Sequence, residues 1–328
     1  SRAFRMQKPR PKRRFFVSEI QGGDIHDGKT WISERLNPHT GYSYSIDGEI
    51  VSADTPYQKA RLVQTSGFGK ALLIDNKTQV TERWEYRYHE PLVHPALLAH
   101  PHPERVLLIG GGDGGALREI LRHDTVKRVD FAELDADIVN FSRKHLIHIH
   151  QGAFDDPRVQ TTFGDGRKFV EAAAGAYDVI IMDMTDPEGP SRFLYTREFF
   201  AAVRSALNND GGLFAMHSES PVARPAAFSC IGKTLASIFP CVATATAFVP
   251  MYGTLWSWRY AGRTNDPTAL SQDRIANLIA RRMINPPRLV TERMWQALFS
   301  PDPILAEAEG HPDGHVITDA QPDFPDFF

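Results

Sequence analysis

From residue 104 onward, short strand-like runs, several of them continuously apolar, recur at intervals filled by helical pattern. Val106-Leu107-Leu108-Ile109 comes first, followed by Val129–Leu134, Val159–Phe163, Val179–Met182 and Leu213–Met216. A strand apolar on both faces must be covered on both faces, which a parallel sheet between crossover helices achieves. The expected fold class is therefore α/β, a doubly wound sheet. Val242–Val249 and Leu255–Tyr260 lie too close together for another crossover, so they are expected to close the sheet as an antiparallel hairpin.

Upstream the pattern is different. Tyr42, Tyr44 and Ile46 alternate with polar residues, and Asp47-Gly48 reads as a hairpin turn before Ile50-Val51. Gly67-Phe68-Gly69 precedes the strand Ala71–Ile74, and Asp75-Asn76 turns again. These features predict a small amino-terminal β-domain. After the hairpin, 271–283 has an amphipathic helical period and a second helix is expected over 294–299. Beyond about residue 306, Pro, Asp and Gly predict an irregular tail tied down by Phe324, Phe327 and Phe328. The expected division is 1–29 basic arm, 30–82 β-domain, 83–262 catalytic domain and 263–328 helical extension and tail.

Seven Lys and Arg residues and no acids fall within the first fourteen positions, and the arm lacks the apolar segment of a secretory signal. It is read as a solvated tail. The whole chain carries a net charge of −3, so the remainder is near −10. That balance argues against nucleic acid as a partner and suits a cationic substrate. No stretch has the length and apolarity of a membrane span. The two cysteines, Cys230 and Cys241, have no metal or redox spacing, which suits a reducing, cytoplasmic setting.

The chemistry gathers at the ends of the predicted strands. Gly110-Gly111-Gly112-Asp113-Gly114-Gly115 lies between a strand and a helix, where glycines let the backbone approach a nucleotide. Glu133 ends the next strand, about 20 residues on, and a carboxylate there accepts ribose hydroxyls. A dinucleotide and an S-adenosyl compound both fit. Asp113 would repel a pyrophosphate and attract an amine or sulfonium, although it could also cap the following helix. Asp165, in Gly164-Asp165-Gly166-Arg167, could accept from an adenine amino group or cap a helix. The run Tyr177–Pro187 then delivers Asp183 and Asp186 to a strand's carboxyl end. Two carboxylates beside a sulfonium site suit a cationic amine and permit base chemistry. An alkylamine with a pKa near 10.4 needs roughly 4 to 5 kcal/mol to shed its proton at neutral pH.

Together these segments resemble the spermidine synthase family of polyamine aminopropyltransferases. The glycine loop, Glu133, Gly164-Asp165 and Asp183-x-x-Asp186-Pro187 with Gly189-Pro190 carry the resemblance. So do Thr55-Pro56-Tyr57-Gln58, Phe68-Gly69-Lys70, Gln79-Val80-Thr81-Glu82 and Tyr88-His89-Glu90, in the expected order. The resemblance spans roughly residues 30–300. It implies an amino-terminal β-domain, a methyltransferase-like (Rossmann-like) domain, and a homodimer or homotetramer without metal. It also implies decarboxylated S-adenosylmethionine as co-substrate, with no other cofactor, and a polyamine as acceptor. By position, Gln58, His89, Asp113, Glu133, Asp165 and Gly166 are expected at the aminopropyl donor. Asp183 is expected as general base, and Gln79, Tyr88, Asp186 and Tyr252 at the acceptor.

Several positions depart from the family pattern. Met184 and Thr185 stand where two serines are usual, Val222 follows Glu219-Ser220-Pro221 where tryptophan is usual, Met251 precedes Tyr252 where threonine is usual, and Gly253 follows it where proline is usual. Val249–Tyr260 and His94–Leu98 are more similar to thermospermine synthases, whereas Asp113 is not. Putrescine and spermidine therefore both stand as acceptors. The rival readings are an S-adenosylmethionine-dependent methyltransferase, a non-catalytic nucleoside or polyamine binder and, more distantly, a dehydrogenase. His145, His148 and His150 are read as a solvated helix end, and Ser218 and Ser220 near His217 lack a nucleophile elbow.

Overall fold

A computed structural model describes residues 28–209 and 211–327. All but its last two residues, the basic arm lies outside these.

The amino-terminal sheet is an antiparallel meander of β1 (Thr30–Arg35), β2 (Gly41–Asp54), β3 (Lys59–Thr65), β4 (Gly69–Ile74) and β5 (Lys77–Thr81). Both of its faces are covered. Ile32, Tyr44, Val63, Ala71 and Leu73 form a small core on one side. Ala60, Leu62, Leu72, Ile74 and Val80 join the main core on the other. The period of two in these strands produces this division.

Asp47-Gly48 is not a hairpin turn. Strand β2 runs through it, with Ile46 opposite Thr65 and Gly48 opposite Gln64 across a bulge. Neither residue has the positive φ that a two-residue hairpin turn demands. The chain instead reverses at Leu36–Thr40, where Leu36 N–H reaches Thr40 O and the Asn37 side chain accepts from His39 and Thr40 N–H. Asp75-Asn76 does turn, with φ of 48° and 67°.

The second sheet has seven strands: β6 (Arg105–Gly110), β7 (Arg128–Glu133), β8 (Val159–Phe163), β9 (Val179–Asp183), β10 (Leu213–His217), β11 (Cys241–Val249) and β12 (Thr254–Gly262). Their order is β11-β12-β10-β9-β6-β7-β8. The first five in sequence run parallel, and β12 pairs antiparallel with both β10 and β11 as the closing hairpin. Helices α1 (Tyr86–Ala99), α2 (Gly115–Leu121), α3 (Ala136–His145), α4 (Ile147–His150), α5 (Gly166–Glu171), α6 (Arg197–Ala206) and α7 (Pro225–Ala236) cover the sheet. α8 (Gln272–Arg282), α9 (Glu292–Leu298) and α10 (Pro303–Glu309) follow. Strand order reverses between β6 and β9, the position where doubly wound sheets open a crevice at their carboxyl ends.

Helix α1 is fixed by buried polar contacts. Glu90 is fully buried and accepts from the backbone N–H groups of Arg288, Leu289 and Val290. His94 reaches Glu119 of α2 at 2.9 Å. Glu90, His94 and Glu119 lie close enough to hold a metal, but Glu90 is already satisfied by backbone donors. The tail past α10 is irregular yet anchored. Asp319 pairs with Arg167 at 2.6 Å, Asp323 with Arg192 at 2.6 Å, and Asp326 accepts from Ala227 N–H at the start of α7. Phe324 is buried, and Phe327 packs beside it. Phe328 lies outside the described residues. Among the described residues no helix is long and apolar enough to cross a membrane.

Candidate active site

At the switch point the last register pair of β6 and β9 is Gly110 with Asp183. This places the glycine loop against the Asp183 carboxylate. Gly111 has φ of +82°, and a Cβ there would lie 3.0 Å from Asp183 Oδ2. Only a residue without a side chain leaves that space open.

A cleft of about 920 Å³ opens here between the two sheets. Gln58, Gln79, Tyr88, Asp113, Glu133, Asp165, Gly166, Asp183, Asp186 and Tyr252 all line it. His89 is the one expected site residue that does not. It lies behind Asp113 at 3.6 Å, with Glu85 Oε2 on its other ring nitrogen at 2.7 Å.

One side of the cleft is built on the ends of β6, β7 and β8. Asp113 Oδ1 accepts from Gly115 N–H at 2.7 Å, capping the turn into α2, while Oδ2 faces His89. The capping role and a ligand-facing position therefore coexist. Burial works against charge on His89, but Asp113 and Glu85 outweigh it and raise its pKa to about 10. Burial opposes ionisation of Asp113 as well, and His89 overcomes this, so Asp113 stays below the usual carboxylate range. The result is a buried imidazolium behind an ionised carboxylate. His89, Asp113 and Asp183 approach one another closely, and the two carboxylates face the cleft, giving it a negative wall that suits a bound organic cation.

Glu133 is buried, and burial raises its pKa to about 7. One of its oxygens accepts from Asp135 N–H at 3.0 Å. Asp135 caps α3 and also accepts from Gln58 at 2.9 Å and Thr55 at 2.7 Å, which ties the β-domain to this edge. Asp165 caps α5 through Arg167 N–H at 2.9 Å, as its sequence context also allowed.

The other side holds Asp183. Tyr88 Oη donates to Asp183 Oδ1 at 2.9 Å. Burial and the neighbouring Asp113 charge raise the Asp183 pKa to about 6, against the opposing effects of His89 and Tyr88. Tyr88 meets Tyr252 edge-on at 5.8 Å, and Tyr252 meets Trp256 at 4.8 Å, so aromatic rings wall this side. Tyr252 Oη donates to Gln79 O at 2.9 Å.

Sequence reasoning missed the partners of Asp186. Arg224 Nη1 lies 2.7 Å from Asp186 Oδ2, and Lys77 Nζ lies 3.7 Å from it. Arg224 also reaches the fully buried Glu219 at 3.0 Å. Burial and the nearby Asp186 raise the Glu219 pKa above the usual carboxylate range. Glu34, part-buried beside Thr78 and Tyr42, lines the same end, and desolvation raises its pKa. Glu219-Ser220-Pro221 was visible as a motif, but nothing local marked Lys77 or Arg224.

The departures have structural settings. Gly253 has φ of +65° and closes the turn between β11 and β12, with the Tyr42 ring packed against it. Val222 is half exposed, and Met184 lines the cleft beside Gly110 while packing against the neighbouring apolar cluster. His150 is buried against the glycine loop instead of standing in solvent. Ser218 and Ser220 bond to the hydroxyls of Ser257 and Thr254, and His217 to Tyr195, so no nucleophile–base pair forms.

Residues 85–272 match the spermine/spermidine synthase domain, and residues 30–82 match the spermidine synthase tetramerisation domain. A polyamine aminopropyltransferase of Nitrosomonas europaea is 35% identical over 291 residues, 87% of this chain and 89% of that one. Polyamine aminopropyltransferase 2 of Hyperthermus butylicus is 42% identical over 263 residues, 77% of this chain and 86% of that one. Among solved structures, a spermidine synthase in complex with the transition-state analogue AdoDATO superposes with a TM-score of 0.80 at 29% identity, covering 89% of this chain and 97% of that one. The fold, the switch-point site and these matches agree: the chain belongs to the spermine/spermidine synthase family.

Proposed function

We propose that this protein is a polyamine aminopropyltransferase, moving an aminopropyl group from decarboxylated S-adenosylmethionine to putrescine or spermidine. The observation that carries this reading is Asp183, held by Tyr88 at the switch point and facing the same cleft as Asp113. The names of the relatives support the same reaction.

The donor's adenosine lies along the β6–β8 edge. Glu133 accepts the ribose hydroxyls, Asp165 and Gly166 meet the adenine, and Gln58 closes that edge through Asp135. Asp113 binds the donor's amine, and His89 acts through Asp113 as a positioning residue. The acceptor lies against Tyr88, Tyr252 and Gln79. Its neutral nitrogen attacks the carbon next to sulfur, the C–S bond breaks with its electrons going to sulfur, and methylthioadenosine leaves. Asp183 takes the proton released from nitrogen. With a pKa near 6 it is ionised at neutral pH and remains basic enough to accept. Alignment of the two substrates supplies much of the remaining rate.

The methyltransferase reading is disfavoured by Asp113, whose charge would oppose the carboxylate of intact S-adenosylmethionine. The tetramerisation-domain match supports a homo-oligomer, a dimer or tetramer, assembled through the amino-terminal sheet.

The test is mass-spectrometric product analysis. Purified protein receives decarboxylated S-adenosylmethionine with putrescine, spermidine, cadaverine or agmatine in turn. Methylthioadenosine with one aminopropylated amine is expected, and its identity names the acceptor. No product from any amine, in protein that still binds methylthioadenosine, would overturn the assignment.

A further inference from the structure

Two carboxylates on the loop after β9 already have cationic partners from within the chain. Asp186 is held by Arg224 at 2.7 Å and approached by Lys77 at 3.7 Å. Glu188 pairs with Lys77 at 2.7 Å. All four side chains line the cleft.

The two cations are tethered differently. Arg224 Nε donates to Leu36 O at 3.0 Å, its Nη1 bonds Glu219 as well as Asp186, and its guanidinium lies 4.3 Å over the Phe327 ring. Its side chain is only 12% exposed. Lys77 opens β5 with a third of its side chain in solvent, and among the described residues its ammonium contacts only the two carboxylates. A four-carbon stem ending in an ammonium has the chemistry of the far end of a diamine. Lys77 thus presents to Asp186 and Glu188 the same group that an acceptor's second nitrogen would present.

We propose that Lys77 is a resident surrogate for the acceptor's second ammonium and sets acceptor selectivity. A diamine reaching this end must displace Lys77 or gain nothing from its second charge. An acceptor with no charge there binds without that competition. This inference rests on the polyamine reading above.

The test compares kcat/KM for putrescine with kcat/KM for butylamine, which has the same four-carbon chain and a single amine. The ratio cancels general damage to the site. Wild-type protein is expected to give a small ratio, and Lys77→Met to raise it by about fivefold or more. Lys77→Gln is expected to do the same, so the prediction survives loss of either variant. Lys77→Arg, which keeps the charge, is expected to leave the ratio at its wild-type value. An unchanged or lower ratio in Lys77→Met or Lys77→Gln, or an equal rise in Lys77→Arg, would overturn the inference while leaving the aminopropyl transfer intact. Absence of product from both amines and from spermidine in the wild type, with methylthioadenosine still bound, would fell the polyamine reading and this inference with it.

Discussion

Tyr88 Oη lies 2.9 Å from Asp183 Oδ1, joining the first turn of α1 to the last residue of β9. The bond favours the ionised carboxylate, against the burial and the Asp113 charge that raise its pKa. A general base is lost as pH falls through its pKa, so the acid limb of kcat/KM is expected near pH 6. Tyr88→Phe keeps the ring and removes the donor. The Asp183 pKa then rises, and the acid limb moves up by about half a unit to one unit. Rate profiles from pH 5 to 8 check this. An unmoved or lowered limb would show that the bond does not tune Asp183.

Asp183→Asn preserves shape beside Gly111 but cannot take a proton. Turnover is expected to fall by about 10²- to 10⁴-fold. Methylthioadenosine affinity, measured by calorimetry, is expected to stay within about twofold, because Glu133 ends β7 and Asp165 caps α5, both away from the strand that carries Asp183. Loss of affinity and of cooperative unfolding together would instead make Asp183 a structural residue.

Some of this site could be read from the sequence because its residues sit at the ends of periodic elements. An apolar run that stops at Asp183, and a strand pattern that ends at Glu133, declare both a strand and its carboxyl end. Lys77 and Arg224 gave no such signal. Their partner Asp186 lies 38 residues from Arg224 and more than 100 from Lys77, and only the fold brings the three together. His89 was legible by motif, yet its place behind Asp113 depends on how α1 crosses the glycine loop. Asp47-Gly48 misled for a related reason. The dipeptide is a local turn signal, but pairing of β2 with both β1 and β3 carries the strand through it. Composition foretold an irregular tail, though not α10 or the anchoring of Asp319 on Arg167.

Glu133 offers a separate pH test on donor binding. Its pKa of about 7 is raised chiefly by burial. If the ionised form accepts the ribose hydroxyls, methylthioadenosine affinity strengthens as pH rises through 7 and weakens below it. The expected change between pH 6 and pH 8 is up to about tenfold. Glu133→Gln is expected to bind more weakly and to lose most of this dependence. Calorimetry at both pH values decides it, and a wild-type affinity flat across that range would remove Glu133 from the ribose.

Arg224 is the last case, and there the expected effect is on stability. It pairs with the ionised Asp186, donates to the fully buried Glu219, and stacks on Phe327 of the tail. Arg224→Met leaves the Asp186 carboxylate with Lys77 alone to offset it, while Glu219, whose pKa burial and Asp186 raise to about 8, is largely protonated at neutral pH. Breaking a buried pair from one side costs about 3 kcal/mol or more, because the remaining charge stays desolvated. The loss is expected as a lower midpoint in urea unfolding. Adding Asp186→Asn removes the charge that Arg224 had compensated, so the double variant is expected to recover about 1 kcal/mol or more relative to Arg224→Met. A double variant no more stable than Arg224→Met would place the contribution of Arg224 in its packing on the tail instead of in charge.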